Sequence, residues 1–70
     1  MNTKLVYRRL FRTAQKIVKY TRLELATDDA IDHWYYKSRR EAMNSSFCSL
    51  CRLYGIDDVN LLRKMICTII

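Results

Sequence analysis

Apolar residues recur along this chain in three blocks, each with the spacing of a helix. In the first, Val6, Leu10, Ala14, Ile17 and Val18 fall three and four apart, with Tyr7 and Phe11 beside them. That spacing lays a stripe along one helical face and predicts a helix from about Thr3 to about Leu23. Asn2 or Thr3 can cap its start by accepting a hydrogen bond from a free backbone N–H. Lys19 and Arg22 in its last turns suit the negative end of the helix dipole.

A new start is marked by Thr27-Asp28-Asp29: threonine caps well, and the aspartates, with Asp32, favour the positive end of a helix. The second helix is expected from Asp28 to about Tyr54, with a stripe of Ile31, Trp34, Tyr35, Ser38, Ala42, Met43, Phe47, Leu50 and Tyr54. Trp34 and Tyr35 read as its aromatic core anchors. Gly55 ends it, because glycine accepts the left-handed backbone that closes a helix, and Ile56 follows where an apolar contact back onto the last turn is common. Asp57 or Asp58 caps a third helix, from about residue 58 to about residue 69, whose stripe is Val59, Leu62, Met65, Ile66 and Ile69, widened by Leu61 and Ile70. This helix is apolar over more than half its circumference. Two neighbours in so small a protein cannot cover such a face, so part of it is expected to meet a partner or ligand. The fold class is all-α: a three-helix antiparallel bundle, one domain over residues 1–70.

Charge changes the picture most at the start. Net charge is +6, and seven cations (Lys4, Arg8, Arg9, Arg12, Lys16, Lys19 and Arg22) precede the first acid, Glu24. Arg8, Arg12, Lys16 and Lys19 line one side of the first helix, and Lys37 and Arg40 join them if the second helix runs antiparallel to the first. Such a patch seeks an acidic partner: phosphate, RNA, anionic lipid or an acidic protein. The run Trp34-Tyr35-Tyr36-Lys37-Ser38-Arg39-Arg40 interleaves aromatics with cations, as RNA-binding surfaces do.

Other chemistry is sparse. The chain has one histidine, His33, three cysteines and one glycine. A zinc site wants four ligands, and His33 lies fifteen residues before Cys48. Cys48 and Cys51 sit one turn apart inside a helical pattern and read as packed or half-exposed thiols, with a redox or metal role as the alternative. One glycine excludes a glycine-rich phosphate loop. No nucleophile with an orienting base is legible, so no catalytic residue, no metal site and no enzymatic reaction are assigned. No apolar run approaches the length that crosses a bilayer. The basic, acid-free amphipathic beginning has the features of a mitochondrial targeting helix.

Val6-Tyr7-Arg8-Arg9-Leu10-Phe11-Arg12 resembles the opening of LYR-motif proteins, small mitochondrial three-helix proteins. Tyr7, Arg8 and Arg12 fall on the motif positions, Leu10 and Phe11 on its apolar pair, and Val6 stands where the family has leucine. Phe47 is the candidate for the family's helix-two phenylalanine, and Lys37, Arg39 and Arg40 are candidates for its helix-two basic cluster, although the family's basic-Phe-Arg run is not cleanly present. The resemblance implies a non-catalytic adaptor in the mitochondrial matrix that binds acyl carrier protein. Tyr7, Arg8, Arg12, Lys16, Lys37 and Arg40 would then meet the carrier's acidic surface or its phosphate. Leu10, Ala14, Phe47, Leu62 and Ile66 would line a tunnel for the acyl chain on the carrier's 4′-phosphopantetheine, with no cofactor bound covalently to this chain. The larger assembly implied is the mitochondrial ribosome or its assembly intermediate; a respiratory complex or iron–sulfur assembly is the alternative. Two readings from the residues stand beside it: a basic module on ribosomal RNA without a carrier protein, and a peripheral membrane helix.

Overall fold

The computed structural model describes residues 3–70, which form three helices: α1 (Thr3–Ala26), α2 (Ala30–Leu53) and α3 (Asp58–Ile69). Asn2, one of the candidate caps of α1, lies outside the described residues. α2 doubles back along α1: Tyr20 and Glu24 near the end of α1 meet Tyr36 and Arg40 near the start of α2.

α1 runs one turn past the expected Leu23. Nothing in Leu23-Glu24-Leu25-Ala26 breaks a helix, and Thr27 N–H still bonds to the Leu23 carbonyl. Lys19 and Arg22 therefore sit before the last turn, which carries no basic residue. α2 starts at Ala30, two residues later than expected. Its cap is Asp29 rather than Thr27: Asp29 Oδ1 accepts from Ile31 N–H at 2.8 Å and Asp32 N–H at 3.1 Å, while Thr27 Oγ1 takes the Asp29 N–H. A carboxylate reaches two free N–H groups and carries the charge that the helix dipole favours there. At the far end Gly55 has φ +66°, and the N–H groups of Gly55 and Ile56 bond back to the carbonyls of Arg52 and Cys51. This is the expected glycine closure. Asp57 is the cap of α3, accepting from Asn60 N–H.

The core sits where the first half of α1 meets the second half of α2 and the middle of α3. Val6, Leu10, Ala14, Ile17, Phe47, Cys51 and Met65 form one buried cluster, with Phe11, Met43, Leu50, Leu61 and Leu62 packed partly against it. Leu10, Ala14, Phe47 and Cys51 are fully closed to solvent. Burying a leucine or phenylalanine side chain contributes roughly 1.5–3 kcal/mol, so Leu10 and Phe47 anchor the domain.

α2 departs from the expected stripe in its first half. Ile31, Trp34 and Tyr35 are exposed, at 77, 67 and 50%. The residues that face α1 are instead Tyr36, Arg40, Met43, Phe47 and Cys51. Counting back from Phe47 by fours and threes lands on 43, 40 and 36, whereas Trp34 lies about 120–180° round the helix from these positions. Arg40 occupies an inward position because Glu24 answers it, Nε to Oε2 at 2.9 Å. Tyr36 packs on Tyr20 with ring centroids 6.4 Å apart. The tip of the hairpin is thus joined by a salt bridge and a tilted ring contact, not by the aliphatic packing of the other end.

Candidate functional site

A groove of about 660 Å³ runs between the first half of α1 and the second half of α2. Arg9, Arg12, Thr13 and Lys16 form one wall, and Ser45, Ser46, Ser49, Leu50 and Leu53 form the other. The cations follow one another at spacings of three and four, so the helix sets them about 4.5 and about 6 Å apart along its axis. Glu24 pairs with Arg40 and with His33, not with the cations of this wall. Arg9, Arg12 and Lys16 are therefore uncompensated. Three like charges on one wall repel each other and draw in an anion. Arginine forks and serine hydroxyls are the donors that hold carboxylate or phosphate. Leu50 and Leu53 give the same groove an apolar floor at one end.

A second groove, of about 460 Å³, opens on the other flank of α2, against α3. Val59, Leu62 and Ile66 supply its apolar wall, with Cys48, Cys67, Asn44 and Asp58 around them. Cys48 faces Asp58 at the start of α3. Hydrogen bonding to that carboxylate, aided by burial, pushes the Cys48 thiol up, and the same bond holds Asp58 below the usual carboxylate range. Burial pushes Cys51 up as well. All three thiols are free: Cys51 buried, Cys48 half-buried, Cys67 exposed. No group of three histidine, cysteine or acidic side chains that could hold a metal occurs among the described residues, and no described helix is long and apolar enough to cross a membrane.

The residues singled out from sequence divide across these places. Arg12 and Lys16 share the cationic groove; Arg9, which the sequence reading passed over, stands between Arg8 and the rest as the groove's third cation. Arg8 is exposed on α1 outside that groove. Arg40 does not join the patch, because Glu24 neutralises it. Lys37 is exposed on the α3 flank of α2, seven and eleven residues before Asn44 and Cys48 and so on their side. Its place beside α1 is taken by Arg39, whose guanidinium sits 5.8 Å above the Tyr20 ring. Tyr7 lines a smaller recess with Val6, Tyr54 and Ile56.

The five tunnel residues are also split. Leu10, Ala14 and Phe47 lie inside the closed core, while Leu62 and Ile66 line the open α2–α3 groove. The cationic groove presents guanidinium, ammonium and hydroxyl donors. Leu10, Ala14 and Phe47 pack against one another with no exposure to solvent, whereas Leu62 and Ile66 face an open groove. The serines of the groove carry no legible signal in sequence. Arg9 does: it lies three residues before Arg12 and seven before Lys16, on one helical face.

Comparison with protein-family models, with curated proteins and with solved structures finds no match to this chain.

Proposed function

We propose that the protein is a non-catalytic adaptor that grips an acidic partner in the groove of Arg9, Arg12 and Lys16. The observation that carries this is the set of three aligned cations with no carboxylate of their own, facing serine donors and an apolar floor. An acidic helix with apolar anchors matches that lining: its carboxylates meet the guanidinium groups and its apolar residues meet Leu50 and Leu53. The partner we favour is acyl carrier protein, on the strength of the LYR-like opening Val6–Arg12 and the three-helix architecture. Its phosphopantetheine phosphate would be held by the same cations, and an acyl chain would take the groove of Leu62 and Ile66. On this reading the pair works in the mitochondrial matrix, docked on the ribosome or its assembly intermediate.

Co-expression with holo acyl carrier protein tests the reading. A stable 1:1 complex is expected, and Arg9→Glu with Arg12→Glu should abolish it while leaving the helical circular dichroism unchanged, since both side chains are exposed. Absence of a complex, or one indifferent to the double reversal, overturns the proposal. Tight binding of a ribosomal RNA fragment with a steep salt slope, and none of the carrier, would replace it with direct RNA contact.

A further inference from the structure

The solvent side of α1 is cationic on both flanks, and the groove uses only one of them. Arg8, Arg12, Gln15, Lys19 and Arg22 follow at spacings of four, three, four and three, so they share an arc of about 80° and extend about 21 Å along the helix. All five are exposed. Leu10 and Ala14 lie on the opposite side of α1, in the core, so this ridge faces away from the rest of the bundle. Arg12 stands at its border with the groove; Arg8, Lys19 and Arg22 lie outside the groove. Every one of the five side chains donates hydrogen bonds. α1 has no acidic residue before Glu24, and Glu24 is turned to Arg40 and His33. The Lys19 ammonium is 5.9 Å from the centroid of the Tyr20 ring, a contact that leaves its charge uncancelled. No apolar residue falls on the ridge between Arg8 and Arg22.

We propose that this ridge binds the phosphate backbone of a nucleic-acid duplex. Its composition decides against the other partners of opposite charge. A stable protein interface has an apolar centre, which the groove supplies through Leu50 and Leu53 and the ridge does not. A helix that lies in a membrane presents its apolar face to the lipid, and the apolar face of α1 is closed within the bundle core. Nucleic-acid interfaces are instead polar and strongly positive, and most of their hydrogen bonds go to phosphate and sugar. A straight, convex ridge suits the space between two rows of phosphates, where cations on either side of the helix reach both strands. Single strands are held by stacking their bases on aromatic rings, and the exposed rings Trp34 and Tyr35 are on α2. Backbone contacts carry no base readout, so binding is independent of sequence. The phosphates can belong to RNA or to DNA, which the experiment separates. Arg9, Lys16 and the serines of the groove stay open to an acidic protein, so one chain can tether that protein to a folded nucleic acid. The ridge does not depend on which protein it is.

Fluorescence anisotropy of short labelled RNA and DNA duplexes, titrated with the full chain, tests this. Binding to at least one is expected, indifferent to base sequence, and the tighter of the two names the backbone it takes. Four neutralised phosphates should give log K against log salt a slope of about −3.6. Arg8→Gln with Arg22→Gln should reduce that slope by about two and the affinity by about tenfold or more. Both side chains are exposed and glutamine is a good helix former, so the helical circular dichroism should not change. Arg9→Gln with Lys16→Gln removes the same charge from the groove wall and should weaken duplex binding by less than about threefold, because salt screens charges that touch no phosphate. Equal losses from the two pairs overturn the proposal, since they mark attraction by net charge alone. So does a chain that binds neither duplex, or one that binds phosphatidylserine vesicles and not the duplexes. The Arg8 and Arg22 pair of substitutions should leave binding of acyl carrier protein intact. A chain that binds the carrier but no duplex overturns the ridge alone; one that binds a duplex but no carrier overturns the adaptor reading alone.

Discussion

The two ends of the α1–α2 hairpin are held by different forces. Near the chain's beginning, Leu10 and Ala14 close on Phe47 and Cys51 with no solvent between them. Near the hairpin tip, Glu24 holds Arg40 and Tyr20 touches Tyr36, while the large apolar residues Ile31, Trp34 and Tyr35 face outward. Dispersion and desolvation lock the first region, and their strength scales with the area removed from water. The second region depends on a half-exposed ion pair and ring edges, which contribute about 1 kcal/mol each at best. The tip should therefore open well before the core does. A surface adjoining a loosely held tip can adjust to a partner, whereas one over a packed core cannot.

The strongest way to break this contrast is Phe47→Ala. It should cost about 3–5 kcal/mol, enough to unfold most of so small a domain, read as lost helical circular dichroism at room temperature. A cooperative thermal transition close to that of the parent would refute the placement of the core. Next in size, Glu24→Ala should cost about 1 kcal/mol. Its mark is local: amides of residues 20–36 should exchange faster with solvent while those around Phe47 do not change. Uniform acceleration would mean that the two regions open together.

A third test separates α3 from both. The folded Asp58 carboxyl lies below its ordinary range and the folded Cys48 thiol above its own. A lowered acid contributes stability that is present above its unfolded value and lost as pH falls through the folded one. A raised thiol contributes stability that is present below its unfolded value and lost as pH rises through the folded one. The attachment of α3 should hold best between about pH 4 and about pH 8.5, as read from exchange of its amides. Asp58→Asn should flatten both limbs, and a chain that keeps them has some other titrating pair. The smallest effect belongs to Trp34→Ala. Its side chain is mostly in water, so the stability of the isolated monomer should move by less than about 0.5 kcal/mol, against the several expected of a buried tryptophan.

α1 was legible because its apolar stripe lies on one side, and α3 because Leu61, Leu62, Met65, Ile66 and Ile69 turn inward, although Val59, expected on the same stripe, is 62% exposed. Val6, Leu10, Ala14, Ile17 and Val18 are all buried, as their spacing predicts. The closure at Gly55 and the cap at Asp57 were legible too, because each follows from one residue's own chemistry. α2 misled in its first half because two faces carry apolar residues there, and Trp34 and Tyr35 outweigh Tyr36 and Arg40 on any scale of hydrophobicity. The candidate site was half legible. Arg12 and Lys16 declare themselves by spacing, but which cations stay free depends on where the acids fall. Glu24 takes Arg40 and leaves Arg9, sixteen and fifteen residues away in the other directions along the chain.

By itself, the sequence determined three helices, the glycine closure of the second, the Asp57 cap of the third and the buried stripe of the first, because periodicity and end chemistry are properties of residues and their near neighbours. Tertiary structure alone decided which face of α2 turns inward, that the core closes over Leu10, Ala14 and Phe47, and which arginines remain unpaired. Those outcomes depend on contacts between residues far apart in the chain, such as Glu24 with Arg40, and a single helical stripe does not record what stands opposite it.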